Sequence, residues 1–144
     1  MSGCLLDTNI VSELRKEGRA DSGLMAWFEV EPEEGMFLSV VTLGEIRKGI
    51  ERLRPRDSSQ AHGLELWLGR LKKQFAGKLL PITPEISDRW GRMQRGRPLP
   101  IVDSLLGATA IEHDLTLVTR NETDFAGLGI RVLNPFSQSA TKRR

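Results

Sequence analysis

Short apolar runs alternate with longer segments whose apolar residues recur at helical spacing, and no other property restricts the fold of this chain as much. Parallel strands joined by crossover helices produce that alternation, so the reading is an α/β domain. Strands are expected at roughly residues 3–7, 36–41, 79–82, 115–119 and 130–133. Helices are expected from Thr8 to a stop at Gly18, from an Asp21 cap through Leu24, Trp27 and Phe28, and from Thr42 to Pro55. Further helices are expected along the Leu64, Trp67, Leu68, Leu71, Phe75 stripe, from Pro84 to about Gly96, and from Val102 to His113, with a short helical turn over 122–126. At 144 residues and 39% apolar the chain suffices for one real core. It has no internal repeat or low-complexity block, so one domain is expected over residues 1–135, followed by a flexible basic tail over 136–144 that ends Lys142-Arg143-Arg144.

One cysteine, Cys4, excludes a disulfide framework or a cysteine-rich zinc site and fits a reducing cytosolic setting. It lies in an apolar run with no thiol-activating base nearby and reads as a buried strand residue. No stretch approaches the roughly 18–20 apolar residues of a membrane span. The N-terminus lacks a basic segment followed by an apolar signal core, and a cytoplasmic location is expected.

Four acids stand out by their place relative to the expected elements. Asp7 ends the first strand, Glu45 lies in the first turn after the second, Asp103 opens the Val102–His113 helix, and Asp124 follows the fourth strand. All four fall at the carboxyl edge of the sheet, where open parallel sheets carry their functional crevice. Two carboxylates about 4 Å apart repel by roughly 4 kcal/mol at an effective dielectric near 20, so four in one pocket raise their own pKa values unless a cation joins them. Oxygen ligands without accompanying His or Cys favour Mg²⁺ or Mn²⁺ over zinc, and such an ion suits phosphodiester hydrolysis. Taken singly, each acid also has an architectural reading. Glu45 completes a capping box with Thr42, Asp7 caps the following helix, Asp103 complements a helix dipole, and Asp124 sits in a turn.

Around these acids the sequence resembles a known family. Leu5-Leu6-Asp7-Thr8-Asn9, Thr42-Leu43-Gly44-Glu45-Ile46, the run Pro100-Ile101-Val102-Asp103-Ser104-Leu105-Leu106-Gly107-Ala108-Thr109-Ala110, and Leu117-Val118-Thr119-Arg120-Asn121-Glu122-Thr123-Asp124-Phe125 look like the motifs of PIN-domain proteins. They resemble most the VapC toxins of the FitB-like branch, over Leu5 to about Pro135. Each motif alone is weak; four in the right order are specific. The resemblance implies a three-layer αβα sandwich around a mostly parallel twisted sheet of about five strands. It also implies a Mg²⁺- or Mn²⁺-dependent endoribonuclease, usually a homodimer and sometimes part of a higher assembly, held inactive by a small VapB-like antitoxin. Transfer or ribosomal RNA would be the substrate and translation arrest the outcome. Asp7, Glu45, Asp103 and Asp124 match the family's acidic positions, and Thr8, Asn9, Thr119 and Asn121 its supporting polar ones. Gly107 stands where an Ala is more usual.

Outside those motifs, Arg89, Arg92, Arg95 and Arg97 precede Asp103 with no acid among residues 89–102, which suits a phosphate-binding rim or equally a solvated helix face. Arg47, Lys48, Arg52, Arg54 and Arg56 form a second basic stretch that reads as solvated surface. Trp27, Trp67 and Trp90 belong to apolar helical patterns and read as core or subunit packing rather than base-stacking platforms. His113 ends a helix and has no nucleophile partner in the sequence.

Two further functions are compatible with parts of this pattern. A phosphotransfer protein using Asp7 as nucleophile would ordinarily carry an acid two positions on, where this chain has Asn9. A non-catalytic module that binds RNA or a partner would need no intact set of acids. The net charge of +2 conceals two unlike regions: taking the four candidate acids from 19 leaves 15 against 21 Lys and Arg, a remainder of +6.

Overall fold

The computed structural model describes residues 3–96 and 98–137. Five parallel strands form the sheet in the order β3-β2-β1-β4-β5. They are β1 (Cys4–Leu6), β2 (Met36–Ser39), β3 (Leu79–Leu80), β4 (Thr116–Val118) and β5 (Val132–Leu133). Among the described residues six helices accompany them: α1 (Thr8–Leu14), α2 (Ser22–Val30), α3 (Val40–Leu53), α4 (Ser58–Gln74), α5 (Pro84–Arg92) and α6 (Ile101–Glu112).

Strand alternation makes the three layers. Leu6 and Val118 face one side and pack with Ile10 and Val11 of α1, Leu24 of α2, Ile50 of α3 and Leu68 of α4. Leu5 and Leu117 face the other side and pack with Leu106 and Ala110 of α6 and with Phe125. Both faces of the central strands are covered, which is why β1 reads as an unbroken apolar run. Burying each Leu or Ile side chain contributes roughly 1.5–3 kcal/mol, so two cores sharing one thin sheet hold the layers together. Helix α6 lies close to the second core at Gly107. A methyl group there would come within 2.6 Å of Ile130 Cδ1, so the end of that side chain would have to shift to admit an alanine.

The elements follow the sequence expectation with shifts at their ends. Val40 and Val41, expected to finish a strand, open α3 instead, because the Ser39 side chain accepts the Val41 N–H at 3.0 Å and caps the helix there. Helix α4 starts at Ser58, six residues before its apolar stripe, where Asp57 accepts the Gln60 N–H. Helix α5 stops at Arg92 and gives way to a tighter 3₁₀ turn over Met93–Arg95.

Phe136 and Ser137, expected to begin a loose tail, are part of the packed domain. Phe136 is 4% exposed within the first core, and the Arg120 guanidinium lies 4.6 Å from its ring centre. Ser137 donates its backbone N–H and its hydroxyl to the Asp21 carboxylate at 2.8 and 2.6 Å, and Asp21 also caps α2 through the Leu24 N–H. This crossing is so close that a Cβ on Gly23 would sit 2.5 Å from Ser137 N and 2.7 Å from Pro135 O. The remaining tail, 138–144 with its Lys142-Arg143-Arg144 end, lies outside the described residues.

The strand order decides where a site can form. From β1 the chain winds outward through β2 to β3, then returns across β1 to β4 and β5. The winding reverses between β1 and β4, and a crevice opens at such a reversal beyond the carboxyl ends of the strands.

Candidate functional site

At that reversal point β1 delivers Asp7 and β4 delivers Thr119, adjacent because Leu6 and Val118 are paired across the ladder. Asp7 is the N-cap of α1; its Oδ1 accepts the Thr8 N–H at 2.7 Å. Its Oδ2 accepts the Thr119 hydroxyl at 2.7 Å and the Asn9 side-chain amide at 3.3 Å. The lattice continues outward. The Asn9 amide also donates to Thr119 Oγ1 at 3.3 Å, Asn9 Oδ1 accepts the Arg120 N–H at 3.1 Å, and Thr119 Oγ1 accepts the Asn121 N–H at 3.1 Å. Asp7 is therefore both a helix cap and a carboxylate held by neutral donors from the first turn of α1 and from the residue after β4.

Electrostatics link the other acids to it. Burial pushes the Asp7 carboxyl above its ordinary range, the bonds from Thr119, Thr8 and Asn9 pull it back, and the negative charge of Glu45 raises it again. Asp103, in the first turn of α6, is raised by burial first and then by the charges of Asp7, Asp124 and Glu45. Each of the four expected acids is thus sensed at one place, brought there by four separate elements. Glu45 comes from α3 and has Lys48 Nζ at 3.4 Å. Asp124 comes from the 3₁₀ turn Glu122–Phe125, which packs on α6 and is anchored by buried Phe125. The architectural reading of Asp7 is also true, since one oxygen caps α1 while the carboxylate faces the cluster.

The donor set is all oxygen, and its mutual repulsion is the state that a divalent cation relieves. Beside Asp7 the Thr8 hydroxyl oxygen is buried without a hydrogen-bond partner among the described residues, as expected of a group whose partner is a water or an ion's hydration shell. No three Asp, Glu, His or Cys side chains among the described residues close into a ready-made ion cage. An all-oxygen donor set without His or Cys suits Mg²⁺ or Mn²⁺ better than zinc, and Mg²⁺ characteristically keeps several waters beside one or two protein carboxylates. The residues present fit such an ion.

The basic residues fall elsewhere than their sequence positions suggest. Arg89 reaches Glu112 at 2.5 Å, at the far end of α6 from Asp103, and Arg92 pairs with Asp88 one turn earlier at 2.9 Å. Both line a groove of about 580 Å³ with Glu85, Ile111 and Leu128, so neither is brought to the acids. Arg95 is exposed in the turn before α6, and Arg97 lies outside the described residues. In the second basic stretch Arg47 and Arg54 share Glu51 and Glu65 in a four-membered ion-pair network across α3 and α4, which holds the Glu65 carboxyl down at about 2.

Trp27 and Trp67 pack against the first core, and Trp67 also lines a groove of about 230 Å³ that runs from Thr8 and Glu45 past Ser12 and Arg15. Cys4 and His113 belong to a different cleft of about 670 Å³ at the opposite, amino edge of the sheet. Burial and the nearby Glu31 charge push the Cys4 thiol up, away from reactivity. Sequence reasoning missed the polar support of α6, the Trp90 to Ser104 hydrogen bond at 2.9 Å. Its partners lie 14 residues apart and carry no local signal.

With this geometry in place, comparison with known proteins gives one consistent outcome. The family model described as PIN domain matches residues 4–130. VapC ribonuclease Y4jK of Sinorhizobium fredii is 27% identical over 92% of this chain and 96% of its own length. Toxin FitB of Neisseria gonorrhoeae is 29% identical over 92% and 97%. The crystal structure of FitAcB from Neisseria gonorrhoeae superposes with a TM-score of 0.82 at 28% identity, covering 92% of this chain and 97% of that one.

Proposed function

The chain belongs to the PIN-domain family, and on that premise we propose that it is the toxin of a toxin–antitoxin pair, a Mg²⁺- or Mn²⁺-dependent endoribonuclease whose substrate is a structured RNA. The observation that carries this reading is the electrostatic convergence of Asp7, Glu45, Asp103 and Asp124 at the strand reversal. Curated relatives that match over nearly their whole length are named as a ribonuclease and as a toxin, which supports both halves of the proposal.

Asp7 and Asp103 would hold the ion, with Glu45 and Asp124 completing the site or holding a second one. When bound, the ion supplies positive charge for the developing phosphoryl oxygens and lowers the pKa of water at the site. The chain's own residues do the rest. Thr119 and Asn9 orient the Asp7 carboxylate and keep it ionised against its burial. With Asp7 and Asp103 engaged by the ion, a carboxylate of the cluster left free of it, Glu45 or Asp124, would take the proton of the attacking water. As water oxygen bonds to phosphorus the bond to the 3' oxygen breaks and that oxygen takes up a proton, leaving a 5'-phosphate and a 3'-hydroxyl. The partner is a small antitoxin; an arginine side chain entering the acidic crevice would pair with these carboxylates and exclude the ion.

The test is direct. Purified protein freed of any antitoxin should cleave transfer or ribosomal RNA when Mg²⁺ is added, and Asp7→Asn should abolish cleavage. Equal cleavage by the variant would assign the activity to a contaminant. Tight Mg²⁺-dependent RNA binding without cleavage over a broad RNA panel would instead make the chain a binding module.

A further inference from the structure

Helix α6 carries Asp103 in its first turn, yet it starts without the usual support. Its N-cap is Pro100, which has no side-chain acceptor, and no side chain caps the helix from that position. The turn is fixed from the inside instead. Ser104, 2% exposed, donates its hydroxyl back to the Pro100 carbonyl at 2.7 Å, shared with the Ile101 carbonyl at 3.1 Å. The same oxygen accepts the Trp90 indole N–H at 2.9 Å. A hydroxyl has one proton, so this serine is fully engaged, with α6 on one side and α5 on the other.

A second tie closes the bracket. Gln94 donates its amide to the Trp90 carbonyl at 3.0 Å and accepts the Leu99 N–H at 3.2 Å, which fastens the Pro98-Leu99-Pro100 approach to the end of α5. Leu99 is buried at 9% exposure, so the approach is held at both its backbone and its side chain. Adjacent helical residues are separated by about 100° of rotation. Pinning Ser104 to Trp90 therefore fixes the direction of Asp103 and hence its separation from Asp7.

We propose that Trp90 and Ser104 are positioning residues for Asp103, an indole-to-hydroxyl clamp that substitutes for the missing helix cap and sets the metal affinity of the site. The inference rests on the reading of Asp103 as an acid that faces the ion. Outer partners of ligating side chains typically change metal affinity 10- to 100-fold when removed.

Mn²⁺ binding to the full chain, measured by titration calorimetry, tests the clamp without reference to RNA cleavage. Trp90→Phe keeps an aromatic side chain, smaller by the pyrrole ring, and removes the N–H; Ser104→Ala removes the hydroxyl and with it the bonds to the Pro100 and Ile101 carbonyls and from the Trp90 N–H. Each should weaken Mn²⁺ binding about tenfold. Ile86→Val, which thins the core under the same α5 without touching the clamp, should lower thermal stability and leave Mn²⁺ affinity unchanged. Wild-type affinity in both Trp90→Phe and Ser104→Ala, with Asp103→Asn weakened, would overturn the clamp and leave the metal site standing. Equal weakening by Ile86→Val would also overturn it, as a general effect of instability. An Asp103→Asn variant with wild-type affinity would remove the premise and the inference together.

Discussion

Replacing Thr119 with Val removes one oxygen from the centre of the site and preserves the shape of the side chain. Thr119 is fully buried and donates at 2.7 Å to the carboxylate of Asp7, itself 5% exposed, so water cannot readily take over the lost bond. A hydrogen bond to a charged group contributes about 1.5–3 kcal/mol. At 1.36 kcal/mol per unit, the Asp7 carboxyl would rise by about one to two pH units beyond its wild-type position.

The direction of each consequence follows from that sign. Burial already raises the folded-state pKa of Asp7, so its contribution to stability is present in full below the unfolded value and declines as pH rises through the folded one. Thr119→Val raises it further, so at neutral pH the variant loses roughly 1.5–3 kcal/mol, a fall in melting temperature of roughly 3–12 °C. That deficit narrows toward acid pH, where Asp7 is protonated in both proteins. Ion binding needs the carboxylate ionised, so the acid limb of Mn²⁺ binding should move to higher pH by about one to two units. Calorimetric Mn²⁺ titrations across a pH series, paired with melting curves, measure both effects. Superimposable pH profiles for wild type and Thr119→Val would refute the argument that this hydroxyl keeps Asp7 ionised.

The same signs set other outcomes. Asp7→Asn removes a buried, repelled charge and should raise stability at neutral pH by roughly 0.5–2 kcal/mol while abolishing cleavage; a lower urea midpoint would contradict this. Gly23→Ala places a methyl group against the backbone of Pro135 and Ser137 and should cost about 1–3 kcal/mol by overpacking, read as a lower urea midpoint and faster cleavage of the C-terminal segment by protease. Burial opposes ionisation of Asp21, but the bonds from Ser137, Leu24 and Gly23 win and hold its carboxyl below the usual range. Asp21→Asn should therefore melt below wild type at neutral pH, with the gap closing as pH falls through that depressed value; a gap constant down to pH 2 would count against the latch.

What was legible in the sequence and what was not differ by the range of the interaction. Apolar runs located all five strands, and Asp21 and Pro84 announced the starts of their helices, because periodicity and capping act within a few residues. Asp7 and Asp124 stood out in the sequence by following strands, Glu45 and Asp103 by opening helices, and the parallel topology carries these elements close enough for the charges of Asp7, Asp124 and Glu45 to act on Asp103. The helix start at Val40 was obscured because two valines have strand-like propensity, while Ser39 imposes the cap. Long-range pairings were not legible. Nothing local in Arg89 shows that Glu112 will take its charge, and nothing in Trp90 shows that its N–H will find Ser104. The run from Arg89 to Arg97 suits a phosphate-binding rim or a solvated helix face equally in the sequence, and the ion pairs of Arg89 with Glu112 and of Arg92 with Asp88 are formed by acids outside residues 89–102.

The pattern of support around the acids explains how such a cluster is tolerated at all. Each carboxylate is carried on a different element, so the backbone, fixed by two apolar cores, absorbs a repulsion that no single flexible loop could oppose. Neutral donors do the holding. Thr119, Asn9 and the Thr8 N–H stabilise Asp7 without neutralising it, whereas a cation from the protein at this point would compete with a metal. Three arginines are paired with acids outside the cluster, Arg47 and Arg54 with Glu51 and Glu65 and Arg89 with Glu112, while Lys48 lies 3.4 Å from Glu45 and Arg15 lines the groove beside it. The chain thus spends much of its positive charge on exposed surface pairs, which contribute little to stability, and leaves its least stable assembly of charges at the strand reversal for a ligand of opposite sign.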